Sequence, residues 1–271
     1  ERIDVIEGFG EEWTRFDQTG LTEDERIAAF DAYFEVFPWD DLPAQAEGFD
    51  LGCGSGRWAA LVAPRVGTLH CVDPSDAIDV ARRNLSSFSN VRFHRRTAAK
   101  LPFEPNTMDF GYSLGVLHHV ADTKGALRKA VEALKPGAPL LVYLYYAFDN
   151  RPRWFRALWR TSDAARQVIA RQPSAVRQLA CDGLAGAVYF PLARGAAVAE
   201  RVGLDVSDWP LSTYRHRSFY AMRTDALDRF GTRLEKRYTR AQMEELLHDA
   251  GLTDIRFCSS VFWCAAGRRA W

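Results

Sequence analysis

The sequence predicts an α/β protein built on a doubly wound, mostly parallel sheet. Three observations carry that expectation. From about residue 48 to 146, short β-rich runs alternate with longer helical patterns. A glycine-rich stretch, "GFDLGCGSGR" (48–57), sits directly behind the first of those runs. After a long helical interruption the rhythm returns at "YTRAQMEELLHDAGLTDIRF" (238–257).

Taken in order, residues 1–46 read as a helical lid: "EEWTRF" and "AAFDAYFEVFPW" are dense in aromatics and carry no strand signal. The core opens with a short strand before Gly52. "TLHCVD" (68–73) is the second strand, and "SDAIDVARRNL" (75–85) sets Ile78, Ala81 and Leu85 at helical spacing behind a capping-type Ser75. "NVRFH" (90–94) and "MDFGYS" (108–113) read as further strands. "DTKGALRKAVEAL" (122–134) starts on Asp122 as N-cap, stops at "KPG", and leads into the apolar strand "PLLVYLYY". Strands separated by helices of this length imply right-handed βαβ units with helices on both faces. Thus 47–148 is expected to be the α/β core and 149–235 a helical insertion rich in Ala and Arg. In 236–271, Thr239 caps a helix that ends at Gly251, a strand follows, and "VFWCAAG" gives the last strand.

Composition narrows the function. With 271 residues, 47% of them hydrophobic, the chain buries a sizeable core. Thirty-five basic residues against thirty-five acidic ones argue against nucleic acid or an anionic membrane as partner of the whole surface, while leaving a local patch open. The longest apolar run falls well short of the ~20 residues that span a bilayer, and no signal-peptide pattern precedes it, so a cytoplasmic protein is expected. Five scattered cysteines with no C-x-x-C pair indicate neither a disulfide framework nor a metal site.

A glycine-rich turn between strand and helix lets backbone N–H groups and the positive helix end approach a ligand closely. The spacing Gly52-x-Gly54-x-Gly56 is neither the G-x-G-x-x-G dinucleotide fingerprint nor a P-loop, which disfavours a nicotinamide dehydrogenase. Asp73, closing the next strand, is a carboxylate able to accept ribose hydroxyls, and Asp50 stands where a ligand ammonium or the loop's own amides can pair with it. The plainer alternatives are that Asp73 caps the following helix and that the glycines serve tight helix-on-strand packing.

"DLGCGSGRW", "CVDPS", "LPFEPNTMDF", "SLGVLHHVAD" and "LKPGAPLLV", in that order, resemble the class I S-adenosylmethionine-dependent methyltransferases of the small-molecule, type 11-like kind. The resemblance covers roughly 47–146 and returns at 238–267. It implies a Rossmann-like, seven-stranded fold and S-adenosyl-L-methionine as cofactor. It further implies that Asp50, Gly52, Gly54 and Gly56 cradle the methionine end, that Asp73 holds the ribose, and that Pro74 and Ser75 flank the adenine. Thr97 and Ala98 fall where relatives carry an Asp-Ala pair against the adenine amino group, and Thr97 departs from that pattern. Ser113, Leu114 and Gly115 are implied to pass near the sulfonium.

A sulfonium methyl is already electrophilic, so the protein's tasks are to align an acceptor behind it and to exclude water. A hydroxyl or a protonated amine as acceptor also calls for a base, for which His118 is the candidate beside His119; a structural role for at least one of that pair is the alternative. Acceptor recognition is expected from the flanks: Trp13 and Phe16 as part of a lid, and Tyr214, Arg215, His216, Arg217, Tyr220 and Asp225 in "STYRHRSFYAMRTD". Core packing for the former and a solvated arginine face for the latter are the alternatives. N-P-P-[YFW] and Pro-Cys motifs are absent, so a small-molecule acceptor is expected rather than nucleic acid or membrane. The leading reading is methyl transfer to O, N or C of that acceptor; the other is a non-catalytic, partner-regulating protein that binds the same cofactor.

Overall fold

The computed structural model describes residues 6, 8, 10, 22–259 and 262–271. The chain divides into two compact units: Glu1–Gln18, Arg26–Asp149 and Leu234–Trp271 form one, and Thr19–Glu25 with Asn150–Arg233 the other. Trp13 and Phe16 lie outside the described residues.

The first unit is the α/β body. Its strands are β1 (Glu47–Leu51), β2 (Thr68–Val72), β3 (Val91–His94), β4 (Phe110–Leu114), β5 (Pro139–Tyr143), β6 (Leu252–Phe257) and β7 (Cys264–Arg269). They lie in the order β3-β2-β1-β4-β5-β7-β6, with β7 antiparallel to both neighbours and the other pairs parallel. This is the doubly wound, mostly parallel, seven-stranded sheet that the sequence predicts.

The two-residue side-chain period of the strands sorts the core into two layers. Leu69, Cys71, Phe110, Tyr112 and Leu141 join Phe30 and Phe34 of α1 (Glu23–Phe34), Ala59 and Val62 of α2 (Ala59–Val62), and Ile78 and Ala81 of α3 (Ala77–Asn84). Phe49, Leu51, Val72, Leu140 and Val142 face the other way. They pack on Leu127, Ala130 and Val131 of α4 (Thr123–Ala133), and on Met243 and Leu247 of α9 (Arg240–Asp249). A strand buried on both faces reads as a nearly continuous apolar run, as "PLLVYLYY" does. Asp122 caps α4 by accepting from Gly125 N at 2.9 Å, and Thr239 with Gln242 forms a capping box on α9, which is why those two helix starts are clear from residue types alone.

At the centre of the sheet, glycine and phenylalanine exchange places across β1 and β4. Gly48 sits opposite Phe110, and Phe49 opposite Gly111. A Cβ on Gly48 would lie 2.3 Å from the Phe110 ring, and one on Gly111 would lie 2.3 Å from the Phe49 ring.

The second unit is helical: α5 (Arg153–Ile169), α6 (Ser174–Leu184), α7 (Phe190–Arg201) and α8 (Phe219–Gly231), with a π turn at Ala185–Tyr189 between α6 and α7. Arginines fasten it internally. Arg223 of α8 holds Asp182 of α6 through two bonds of 2.9 and 3.0 Å, and Arg229 of α8 reaches Ser162 Oγ of α5 at 3.0 Å. The buried Arg166 donates to Asp163 and to the carbonyl of Thr232.

Candidate active site

The glycine loop leaves β1 and enters the short helical turn before α2. Gly52, Gly54 and Gly56 have φ of 80°, 53° and 81°, a region that side chains with a Cβ rarely adopt. At Gly52 there is also no room: an added Cβ would lie 2.4 Å from the Val116 side chain. Gly52 N and Cys53 N bond to Val72 O at 2.7 and 3.2 Å, which fastens the loop to the end of β2. The loop is therefore a narrow backbone cradle whose shape requires glycine.

Two buried carboxylates stand beside it. Asp73 accepts from Gly54 N (3.0 Å), Ser75 N (2.9 Å) and Ser75 Oγ (2.6 Å), and is 7% exposed. It thus ties the loop to the turn that leads into α3, whose N-cap position is Asp76. Of the roughly four acceptor positions of a carboxylate, this leaves about one, on Oδ2, for a ligand hydroxyl. Burial raises the Asp73 pKa, and its bonds to Ser75 and Gly54 pull the other way.

Asp50 is different. It is 1% exposed and its Oδ2 makes no hydrogen bond. Burial pushes its pKa up to about 8; Tyr112, opposite it in the register, favours the charged form, and Asp73 opposes it. The Tyr112 hydroxyl is itself buried without a hydrogen bond in good geometry. An unsatisfied buried acceptor at the mouth of an amide-lined loop fits a ligand that brings its own N–H donors, which the ammonium of an amino acid moiety supplies.

The other residues expected on the cofactor side lie at the ends of strands and in the loops that follow them. Pro74 and Ser75 form the turn before α3, and Ser75 Oγ accepts from Ala77 N at 3.2 Å. A Cβ added at Gly10 would come within ordinary contact of Ser75 and Asp76, so Gly10 stands beside the same turn. Thr97 and the buried Ala98 lie in the loop after β3, where Thr97 O accepts from Lys100 N. Ser113 Oγ donates to Leu51 O at 2.9 Å, linking the ends of β4 and β1. Gly115 (φ 78°) follows Leu114 and bonds through its N–H to Tyr143 O.

His118 and His119 lie in the tight turn Leu117–His119, both buried. They are not equivalent. His119 Nδ1 donates to Leu234 O at 2.6 Å, which fixes its tautomer and gives it an anchoring role. His118 is 0% exposed, stacks on the Tyr145 ring at 3.9 Å, and has no hydrogen bond on either ring nitrogen. Burial, with the nearby His119 and Arg237, drives its pKa well below the usual histidine value, so the ring is neutral near pH 7.

The sequence reading did not single out the neighbours of His118. Residues 234–238 run alongside it: Lys236 N donates to His118 O (3.1 Å), Lys236 Nζ to Val120 O (3.0 Å), and Tyr238 N to Tyr145 O (2.9 Å). Between these tethers Arg237 lies over the Tyr145 ring and donates to Glu235 Oε1 at 2.7 Å, while Glu235 Oε2 is buried with no hydrogen bond. Tyr143 continues the aromatic surface to Tyr33 (5.1 Å) and Phe262 (5.2 Å). The tyrosines were hidden inside an apolar run that reads as core. Glu235 and Arg237 stand at the seam assigned to the end of the insertion, where only the alternation of charges before the Thr239 cap hinted at a role.

The residues singled out in 212–225 separate into two groups in the helical unit. Tyr214, Arg217 and Asp225 come together: Arg217 lies over the Tyr214 ring at 5.6 Å and 3.8 Å from Asp225 Oδ2, and burial followed by Asp225 raises the Tyr214 pKa. Arg215 and His216 instead both engage Glu200 at 2.8 Å, which holds that carboxylate down to about 2. Tyr220 is half-buried in the first turn of α8, its carbonyl accepting from Thr224.

Residues 49–142 match a family model described as a methyltransferase domain. The phosphoethanolamine N-methyltransferase 2 of Caenorhabditis elegans is 32% identical over 100 residues, covering 35% of this chain and 23% of that protein. A 2-phytyl-1,4-naphtoquinone methyltransferase of Thermosynechococcus vestitus is 28% identical over 144 residues, covering 49% of this chain and 64% of that one. The chain thus spans less than two thirds of the length of either relative. An O-methyltransferase family protein from Burkholderia thailandensis superposes with a TM-score of 0.54 at 16% identity, over 97% of this chain and 58% of that one, which shows the shared fold. Cradle, strand order and matched residues converge on a methyltransferase domain over residues 49–142 of this chain.

Proposed function

We propose that the protein transfers a methyl group from S-adenosyl-L-methionine to an O, N or C atom of a small-molecule acceptor by in-line displacement. The observation that carries this is the pairing of the Gly52 cradle with Asp50, whose buried Oδ2 lacks a donor. Gly52, Gly54 and Gly56 receive the methionine end and Asp50 its ammonium. Asp73 takes a ribose hydroxyl through Oδ2, and Pro74, Ser75, Thr97 and Ala98 border the adenine. The cofactor supplies a methyl carbon made electrophilic by a sulfonium. Ser113, Leu114, Gly115 and Tyr143 set the dry wall beside it.

On the acceptor side, neutral His118 takes the proton of a hydroxyl or amine, and the aromatic faces of Tyr33, Tyr143 and Tyr145 suit a planar or ring-bearing molecule. A quinone-like acceptor, such as the naphthoquinone in the name of the Thermosynechococcus relative, agrees with those faces. Tyr214, Arg217 and Asp225 are further candidates for acceptor recognition.

Calorimetry with S-adenosyl-L-methionine, followed by a screen of metabolite pools with the labelled methyl donor, tests both halves. The expected result is saturable cofactor binding and a labelled small molecule. Binding with no labelled product would leave a cofactor-binding regulator, and no binding would end the proposal. With the acceptor in hand, His118→Gln is expected to lower turnover by at least about tenfold with cofactor affinity kept. Activity within about twofold of wild type in His118→Ala would remove the base.

A further inference from the structure

Helices α6 and α7 and the π turn between them form one uninterrupted helix over 174–201. Cys181, Ala185, Tyr189 and Ala193, at four-residue intervals along it, are all buried. The opposite side departs from the rule that a surface helix is polar outward. Every exposed position from 173 to 199 is apolar, glycine or proline. Val176, Leu179 and Val198 are 52%, 75% and 60% exposed, and Val202 extends the face at 72%.

The charges around this face are mostly positive. Asp182 is held bidentately by Arg223, and Glu200 by Arg215 and His216, so neither acid on the helix is left unanswered. Arg171 and Arg201 are exposed at its two ends. Segment 150–233 as a whole carries fourteen arginines, no lysine and seven acidic residues. The zero net charge of the chain conceals this excess of seven positive charges.

We propose that this face is a docking surface for an anionic lipid bilayer, on which the helix lies in the plane of the headgroups. An exposed apolar stripe with arginines at its margins matches that surface in both hydrophobicity and charge. A second copy of the chain fits less well, since two such faces would bring the net positive charge of this segment against itself. Among the described residues no helix is long and apolar enough to cross a membrane, so contact with one leaflet is the geometry implied. This inference is independent of the methyl-transfer reading.

Flotation of the full chain with vesicles of phosphatidylcholine alone, and of phosphatidylcholine with phosphatidylglycerol in equal parts, tests it. The protein is expected to float with the anionic vesicles only and to be released as salt is raised. The double variant Leu179→Glu/Val198→Glu is expected to lose binding at least about tenfold at an unchanged melting temperature. Arg171→Gln/Arg201→Gln should weaken it several-fold. Failure to float, or flotation of the glutamate variant equal to wild type, overturns the proposal. So does sedimentation equilibrium showing a dimer that the glutamate variant dissolves while wild type ignores vesicles.

Discussion

The two units handle polarity in opposite ways. The α/β body buries polar groups that lack hydrogen bonds: Asp50 Oδ2, Ser55 Oγ, the Tyr112 hydroxyl, both His118 nitrogens and Glu235 Oε2. Among the described residues the helical unit leaves unbonded, of its buried side-chain polar atoms, only the Nε atoms of Arg151 and Arg215, on guanidinium groups that bond through a terminal nitrogen, and it turns valine, leucine and phenylalanine outward. A buried acceptor without a donor costs about 1–3 kcal/mol, and a fold retains such groups where something else satisfies them. The first unit is therefore incomplete on its inside and the second on its outside. One awaits a small ligand and the other a surface.

That contrast can be broken at several points. The largest effect is expected from Gly52→Ala, which meets both a positive φ and the Val116 side chain: a cost of about 1–3 kcal/mol in thermal unfolding and loss of cofactor binding by calorimetry. Close behind, Arg223→Leu leaves Asp182 without its bidentate partner and should lower stability by about 2 kcal/mol in urea melts, with cofactor affinity unchanged.

Asp50 gives a pH signature. Its folded pKa is raised, so the native state keeps a proton that the unfolded chain has lost. The stability this contributes is full below the ordinary aspartate range and disappears as pH rises through about 8, with the raised Asp73 acting in the same direction. Denaturant melts should show wild type losing stability over that window and Asp50→Asn much flatter. An ammonium ligand reverses the preference, so cofactor binding near neutral pH should release up to about one proton, measured by calorimetry in buffers of different ionisation enthalpy. The smallest effect is expected on the other unit's exterior: Leu179→Gln should change stability by less than about 0.5 kcal/mol, because that side chain is 75% exposed. A large loss there would mean the face is already covered.

Legibility in the sequence followed the same division. The core strands and the helix caps could be read because one local rule decides each: Asp122 and Thr239 at N-caps, and the double-sided burial of "PLLVYLYY". The cradle was legible because only glycine fits a φ near 80° under Val116. The neighbours of His118 were not, since Glu235 and Arg237 reach it through backbone pairing across more than a hundred residues, which periodicity does not register. Nor did residue type tell Arg217, drawn to Tyr214 and Asp225, from Arg215, drawn to Glu200. The outward apolar face of 174–201 was missed for a related reason: hydrophobicity on all sides of a helix looks the same whether or not anything covers it.

The exchange of glycine and phenylalanine between β1 and β4 has a consequence for how this sheet can diverge. Each ring occupies the volume that a neighbour's methyl group would take, so neither glycine can gain a side chain while the opposing aromatic remains. The positions form two coupled pairs, Gly48 with Phe110 and Gly111 with Phe49, and substitutions there should arise in lockstep. Descendants of this chain that enlarge one member are expected to have trimmed the other.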